Sequence, residues 1–247
     1  MLKKKIVLIT GVGKGIGLSC LKLCIKNNAF VIGVTRSKKD YNDLNKAYKD
    51  KCKIILGDVR SKVTLKKIID FQKKNNLFIN SLVNNAGIRF RKNFLNTDIK
   101  EYKKVFEHNF FSIVQLCKVM ISLAITNKKK ISIVNLSSIV GSRGFDELSA
   151  YGSSKGALDA FTKCIAIEYP KYVKINNVCP GFTKTSYFDK FKKNKKLYNW
   201  TIKNIPVKRW ANPEEIAELI VYLVSDKSSY ITGQNFYIDG GWTSKWK

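Results

Sequence analysis

Seven short runs rich in Ile and Val recur along this chain, and longer amphipathic segments separate them. The runs are KIVLIT (5–10), FVIGVT (30–35), KIILGD (53–58), SLVNNA (81–86), ISIVNLS (131–137), KINNVC (174–179) and NFYIDG (235–240). Most lack the polar alternation of a half-exposed strand. They read as strands covered on both faces, the situation inside a parallel sheet. The segments between them read as helices near 15–28, 41–50, 61–75, 98–126, 151–169 and 213–224. This alternation predicts an α/β fold: a Rossmann-type doubly wound parallel sheet of about seven strands, flanked by helices in three α/β/α layers. The 247 residues fit one such domain. Residues 186–209 break the rhythm with Phe, Tyr, Trp and Lys but no strand, and predict a helical lid over a site.

Composition narrows the function. Hydrophobic residues make up 45% of the chain, which suits a packed core. The apolar run in MLKKKIVLIT is too short for a signal peptide and no cleavage site follows, and no run approaches a membrane-spanning length. These features predict a cytoplasmic protein with no membrane partner. The net charge is +28, but only six of the 46 basic residues are Arg and the lysines are spread throughout. Nucleic-acid surfaces cluster charge and favour Arg, so no specific nucleic-acid partner is expected. The charge still favours acidic partners through long-range steering. Six scattered cysteines form no CxxC pair, and His108 is the only histidine, so reduced thiols and no metal site are expected.

The first run leads directly into TGVGKGIG (10–17). Glycines at 11, 15 and 17 allow a tight turn and the close approach of a pyrophosphate. The next helix then points its free N–H groups and dipole at the phosphate. A plain strand–helix turn gives the same glycines, but this one follows the first strand and opens the first helix, as a dinucleotide fold requires. A ribose 2′-hydroxyl calls for an acid at the end of the second strand. This chain has Thr35, Arg36 and Ser37 there, and Lys14 in the turn. Two cations suit a 2′-phosphate, so NADP(H) is favoured over NAD(H). Asp58, after the third strand, is a candidate for the adenine amino group.

SAYGSSKGAL (149–158) sets Tyr151 and Lys155 one helical turn apart. A free phenol titrates near ~10. A cation about 4 Å away contributes about 4 kcal/mol at an effective dielectric near 20. That is worth roughly three pKa units toward phenolate, with burial working against it. The expectation is a phenol drawn toward the range useful for general acid–base catalysis. Ser138, ending the fifth strand, is placed to donate to a carbonyl oxygen as charge builds there. The three residues describe one reaction, hydride exchange at a carbonyl carbon with Tyr151 handling the oxygen's proton.

Together these residues resemble the short-chain dehydrogenase/reductase family in its single-domain form. The likeness covers nearly the whole chain: TGxxxGxG at 10–17, NNAG at 84–87, Asn109, Ser138, YGSSK at 151–155, PG at 180–181 with Thr185, and the closing ITGQNFYIDGG. The resemblance implies a tetrad of Asn109, Ser138, Tyr151 and Lys155, with Asn109 holding a water in a proton relay and Lys155 on the nicotinamide ribose. It also implies a cofactor groove formed by Gly11, Gly13, Lys14, Gly15, Ile16, Gly17, Arg36, Asp58, Val59, Asn85, Ala86, Gly87, Tyr151, Lys155, Pro180, Gly181, Thr183 and Thr185. It implies a homotetramer that buries aromatics such as Phe106, Phe110, Phe111 and Tyr237. Cys179 stands where smaller apolar residues are usual, and a thiol of that size packs well.

The substrate is less legible. The layout is closest to 3-oxoacyl-acyl-carrier-protein reductases, and an acidic carrier suits a basic surface. Lys128, Lys129, Lys130 and Lys171 fall where such enzymes place carrier-binding cations. The rival is a sugar or sugar-acid dehydrogenase, because Arg89 and Arg91 in NNAGIRFR suit a carboxylate or phosphate. A catalytically silent cofactor-binding or scaffold protein is a third reading, opposed by the intact Ser138, Tyr151 and Lys155.

Overall fold

The computed structural model describes residues 1–186 and 188–244. The Ile/Val runs form β1 (Ile6–Thr10), β2 (Phe30–Thr35), β3 (Cys52–Leu56), β4 (Ser81–Asn84), β5 (Ile131–Leu136), β6 (Val173–Pro180) and β7 (Asn235–Ile238). Among the described residues these make one sheet in the order β3-β2-β1-β4-β5-β6-β7, and every neighbouring pair is parallel. The chain winds outward from β1 to β3, returns, and winds the other way from β4. The order therefore reverses between β1 and β4. In open α/β sheets a crevice forms outside the carboxyl ends of the strands at such a point.

The helices are α1 (Gly15–Lys26), α2 (Lys38–Ala47), α3 (Lys62–Lys74), α4 (Ile99–Phe106), α5 (Ser112–Thr126), α6 (Ser149–Glu168), α7 (Phe188–Lys193), α8 (Lys195–Asn204) and α9 (Pro213–Val224). Alternation along the strands divides the core between two faces. Val7 and Ile9 point to the layer of α1 and α9, with Cys20, Leu21, Ile216 and Ile220. Leu8 points the other way, to Ile68 of α3, Met120 of α5 and Leu158 of α6. Each such side chain, fully buried, contributes about 1.5–3 kcal/mol. All six cysteines are free thiols, and Cys164 is the exposed one.

Local chemistry moves several boundaries from their expected places. α2 starts earlier than 41 because the Ser37 hydroxyl accepts from the Asp40 N–H at 3.1 Å. Ser61 caps α3 in the same way, on the Val63 N–H. α9 carries Pro213 in its first turn and a reciprocal cap between Asn212 and Glu215.

The helix expected near 98–126 is present as Ile99–Thr126, with a π-helical turn, Glu107–Phe111, set between α4 and α5. The expectation about membrane-length segments is corrected at the same place. Ile99–Thr126 is long and apolar enough to cross a membrane by length and composition alone. Here its Ile113, Leu116, Cys117 and Met120 are buried in the core. Phe111 and Tyr237, expected at subunit interfaces, are 49% and 40% exposed. Residues 186–209 do form helices, α7 and α8. Their Phe191 packs with Trp210 and Ile205, and the Trp210 indole donates to Thr201 Oγ1 at 2.8 Å. Tyr187, within the expected lid, lies outside the described residues.

Candidate active site

A cleft of about 1040 Å³ opens at the carboxyl ends of the strands. The glycine-rich turn forms one end of it. Gly11 has φ +73° and Gly15 φ +55°, a region costly for residues with a Cβ. A Cβ on Gly17 would overlap the Gly11 carbonyl oxygen and the Asn85 amide. The turn is tied to β4 by the side chain of Thr10, whose Oγ1 accepts from the backbone N–H groups of Asn85 and Ala86, each at 3.0 Å. Asn85 returns the bond with its own amide, donating to the carbonyls of Thr10 (2.9 Å) and Gly11 (3.0 Å). Asn85 thus clamps the turn as well as lining the cleft, and Gly11, Gly13, Gly15 and Gly17 shape the cleft from behind. Lys14 and Ile16 line it directly.

The start of α1 fits a bound phosphate. Lys14 at its N-cap makes no side-chain cap, and no acidic residue occupies its first turn. The N-terminal N–H groups and positive dipole end of α1 are therefore available to an anion. Thr185 reaches over from the loop after β6, and a Cβ on Gly15 would stand 3.2 Å from its Cγ2. Pro180, the last residue of β6, and Gly181 and Thr183 of that loop all line the cleft. Gly181 is held against β7, with its N–H donating to the Ile238 carbonyl at 3.0 Å, and a Cβ there would meet the Asp239 Cα at 2.8 Å.

Arg36 lines the cleft from the end of β2 and is exposed. Its guanidinium is 3.8 Å from the Asp58 carboxylate. Asp58 is bound more closely by Arg60, through Nε (3.1 Å) and Nη2 (2.8 Å), which holds its carboxyl down at about 2. Asp58, the candidate for an adenine amino group, is engaged by the Arg60 guanidinium. Val59 is partly buried against the core. Sequence reasoning passed over Asp40, whose carboxylate stands against Gly13, so that a Cβ there would push the side chain aside.

On the opposite wall the expected tetrad comes together. Asn109, Ser138, Tyr151 and Lys155 all line the cleft, with Gly87 beside them. Asn109 sits in the π turn with no exposed surface. Its Oδ1 accepts from the Ile88 N–H at 2.8 Å, and its Nδ2 donates to the Ile88 carbonyl at 2.9 Å and to Ser154 Oγ at 3.3 Å. The extra residue of the π turn delivers Asn109 to the loop after β4, as π turns do at functional sites. Ser138 follows β5 in extended backbone and accepts from the Val140 N–H at 3.2 Å. Lys155 is 5% exposed and donates to the Leu136 carbonyl at 2.6 Å.

The electrostatics reverse one expectation. Burial pushes the Tyr151 phenol above its ordinary value, against opposing pulls from Ser138 and the Arg89 guanidinium. Lys155 lies 5.9 Å from the centre of the Tyr151 ring, but its ammonium is directed to Leu136. Burial also draws Lys155 down, to about 8. The phenol is therefore a held proton donor at neutral pH rather than an incipient phenolate. At the outer end of the cleft Arg91 pairs with Glu147 at 2.6 Å, and Phe145, Phe182, Trp200 and Trp210 form an aromatic wall. Lys128, Lys129, Lys130 and Lys171 precede β5 and β6. They stand at the strands' amino ends, away from the cleft.

Comparison with known proteins agrees with this geometry. Residues 11–243 match a family model described as enoyl-(acyl carrier protein) reductase. A 3-oxoacyl-acyl-carrier-protein reductase of Buchnera aphidicola subsp. Baizongia pistaciae is 32% identical, over 96% of this chain and 97% of its own length. A 7alpha-hydroxysteroid dehydrogenase of Paraclostridium sordellii is 34% identical, over 98% of this chain and 92% of its own. Among solved structures, 4-hydroxyisoleucine dehydrogenase complexed with NADH superposes with a TM-score of 0.91 at 30% identity. That likeness covers 98% of this chain and 99% of the other.

Proposed function

The chain belongs to the short-chain dehydrogenase/reductase family of oxidoreductases, and from that premise we propose that it is an NADP(H)-dependent enzyme interconverting a carbonyl and a secondary alcohol. The observation that carries the reading is the convergence of Ser138, Tyr151 and Lys155 on one wall of the cleft, opposite a helix start open to phosphate. A bound nicotinamide dinucleotide supplies the hydride in reduction and accepts it in oxidation. Tyr151 gives its proton to the carbonyl oxygen, and Ser138 donates a hydrogen bond to that oxygen as negative charge grows on it. Lys155 holds the ribose hydroxyls and opposes the charge left on the phenol. Asn109 fixes the loop at Ile88 and holds a relay water. Lys14 and Arg36 favour the 2′-phosphate, and Asp40 does not line the cleft. We read the chain as one domain with a lid near 186–209, working in the cytoplasm as a homotetramer.

Two substrate classes stand. Relatives named 3-oxoacyl-acyl-carrier-protein reductase, and a basic surface suited to an acidic carrier, support an acyl thioester. The coupling of the Arg89 guanidinium to Tyr151 favours a keto acid or sugar acid, whose carboxylate would pair with that cation. Purified protein with NADPH, offered acyl thioesters, keto sugars and keto acids, separates the two. Oxidation of NADPH by none of them would contradict the reading.

A further inference from the structure

Beneath the cleft the sheet carries a row of asparagines. Asn84, Asn135, Asn177 and Asn235 occupy one register across β4, β5, β6 and β7. Asn84 Nδ2 donates to Asn135 Oδ1 at 2.8 Å, and Asn135 Nδ2 to Thr162 Oγ1 at 2.9 Å. Thr162 donates onward to Asn177 Oδ1 at 2.7 Å. Asn177 Nδ2 then donates to Asn235 Oδ1 (2.8 Å) and to Asp159 Oδ1 (3.1 Å). The Ser137 hydroxyl donates to that same carboxylate oxygen at 2.7 Å. The line from Asn84 through Asn135, Thr162 and Asn177 reaches the Asp159 carboxylate, with a side branch to the neutral Asn235 amide.

Asp159 is 8% exposed and lies one turn beyond Lys155 on α6, behind the cleft wall. Space for it is left by Gly141, where a Cβ would come 3.0 Å from Asp159 Oδ2. The groups acting on Lys155 are Tyr151 and Asp159 on its own helix, the Leu136 carbonyl on β5 and Cys179 on β6. Burial raises the Asp159 carboxyl above the usual carboxylate range, and the groups that oppose it are Ser137 after β5, Lys155 and Lys163 on α6 and Asn177 on β6. Burial pushes the Cys179 thiol up to about 12 and raises the Tyr151 phenol, so neither is an anion at neutral pH. Asp159 is the leading upward pull on Lys155. An ammonium this deeply buried, with one carbonyl and no countercharge, would give up its proton.

We propose that Asp159 is a positioning residue that keeps Lys155 an ammonium aimed at the cleft, while Ser137 and the asparagine row keep Asp159 a carboxylate. Its importance for turnover rests on the role given to Lys155 above, but the charge coupling itself is measurable without turnover. Trace acetylation with acetic anhydride across a pH series, read by mass spectrometry on the Lys155 peptide, reports where the amine becomes free. In the parent protein the midpoint falls near pH 8. Asp159→Asn moves it to lower pH, and the alkaline fall in kcat moves with it. Asp159→Ala, removing charge and bulk together, gives the same shift should the Asn variant not fold. An unchanged midpoint in either folded variant overturns the inference. Failure of the parent to oxidise NADPH with any carbonyl would overturn the enzymatic reading and leave the midpoint comparison standing.

Discussion

The Lys155 ammonium donates to the backbone carbonyl of Leu136 at 2.6 Å. This bond joins the middle of α6 to the last residue of β5 and sets the cation beneath the Tyr151 ring. It also shows where the pH sensitivity of the site resides. Burial brings Lys155 down to about 8 and sends the phenol of Tyr151 the other way. As pH rises, the lysine loses its proton first. Reduction should therefore be constant at neutral pH and fall about tenfold per unit above pH 8. A profile of kcat/KM for NADPH checks this. A limb set instead by tyrosine ionisation would appear well above that point.

Asn109 exchanges two hydrogen bonds with the backbone of Ile88 from a fully buried position. Asn109→Ala leaves the Ile88 N–H and carbonyl unpaired. Each orphaned group costs about 1–3 kcal/mol. Thermal unfolding should show a loss of at least about 2 kcal/mol, accompanied by a lower kcat. A variant that loses kcat with an unchanged melting temperature would mean that Asn109 acts on the chemistry without bracing the loop.

Arg36 is exposed at the cleft and only loosely engaged by Asp58, at 3.8 Å. A hydrogen bond to a charged group is worth about 1.5–3 kcal/mol, which is roughly ten- to a hundredfold in affinity. Arg36→Ala should weaken NADPH by that factor and leave NADH nearly unchanged, measured by quenching of tryptophan fluorescence. Equal losses for both cofactors would remove the 2′-phosphate argument.

The fold was legible because its signal is repeated seven times: each Ile/Val run is a strand, displaced by no more than a few residues. The glycine turn and the Tyr151/Lys155 pair were legible because their spacing states a geometry. Three features were not. The π turn that delivers Asn109 has no local sequence signature; α4 and the turn itself pack against α6, a contact made only in the folded chain. The asparagine row hides inside strands that read as apolar, because SLVN, ISIVNL and KINNVC reveal a shared register only once paired. The direction of the Tyr151 shift depends on burial and on where the Lys155 ammonium points. Spacing along a helix fixes neither.

On the proposed mechanism, Tyr151 supplies the proton when a carbonyl is reduced by NADPH in this cleft. The most direct measurement compares parent protein and Tyr151→Phe at saturating NADPH, with cofactor binding and NADPH oxidation followed on the same samples. Binding should survive while oxidation falls by at least about a hundredfold. A phenylalanine variant that binds NADPH and reduces the carbonyl at close to the parent rate would contradict that mechanism.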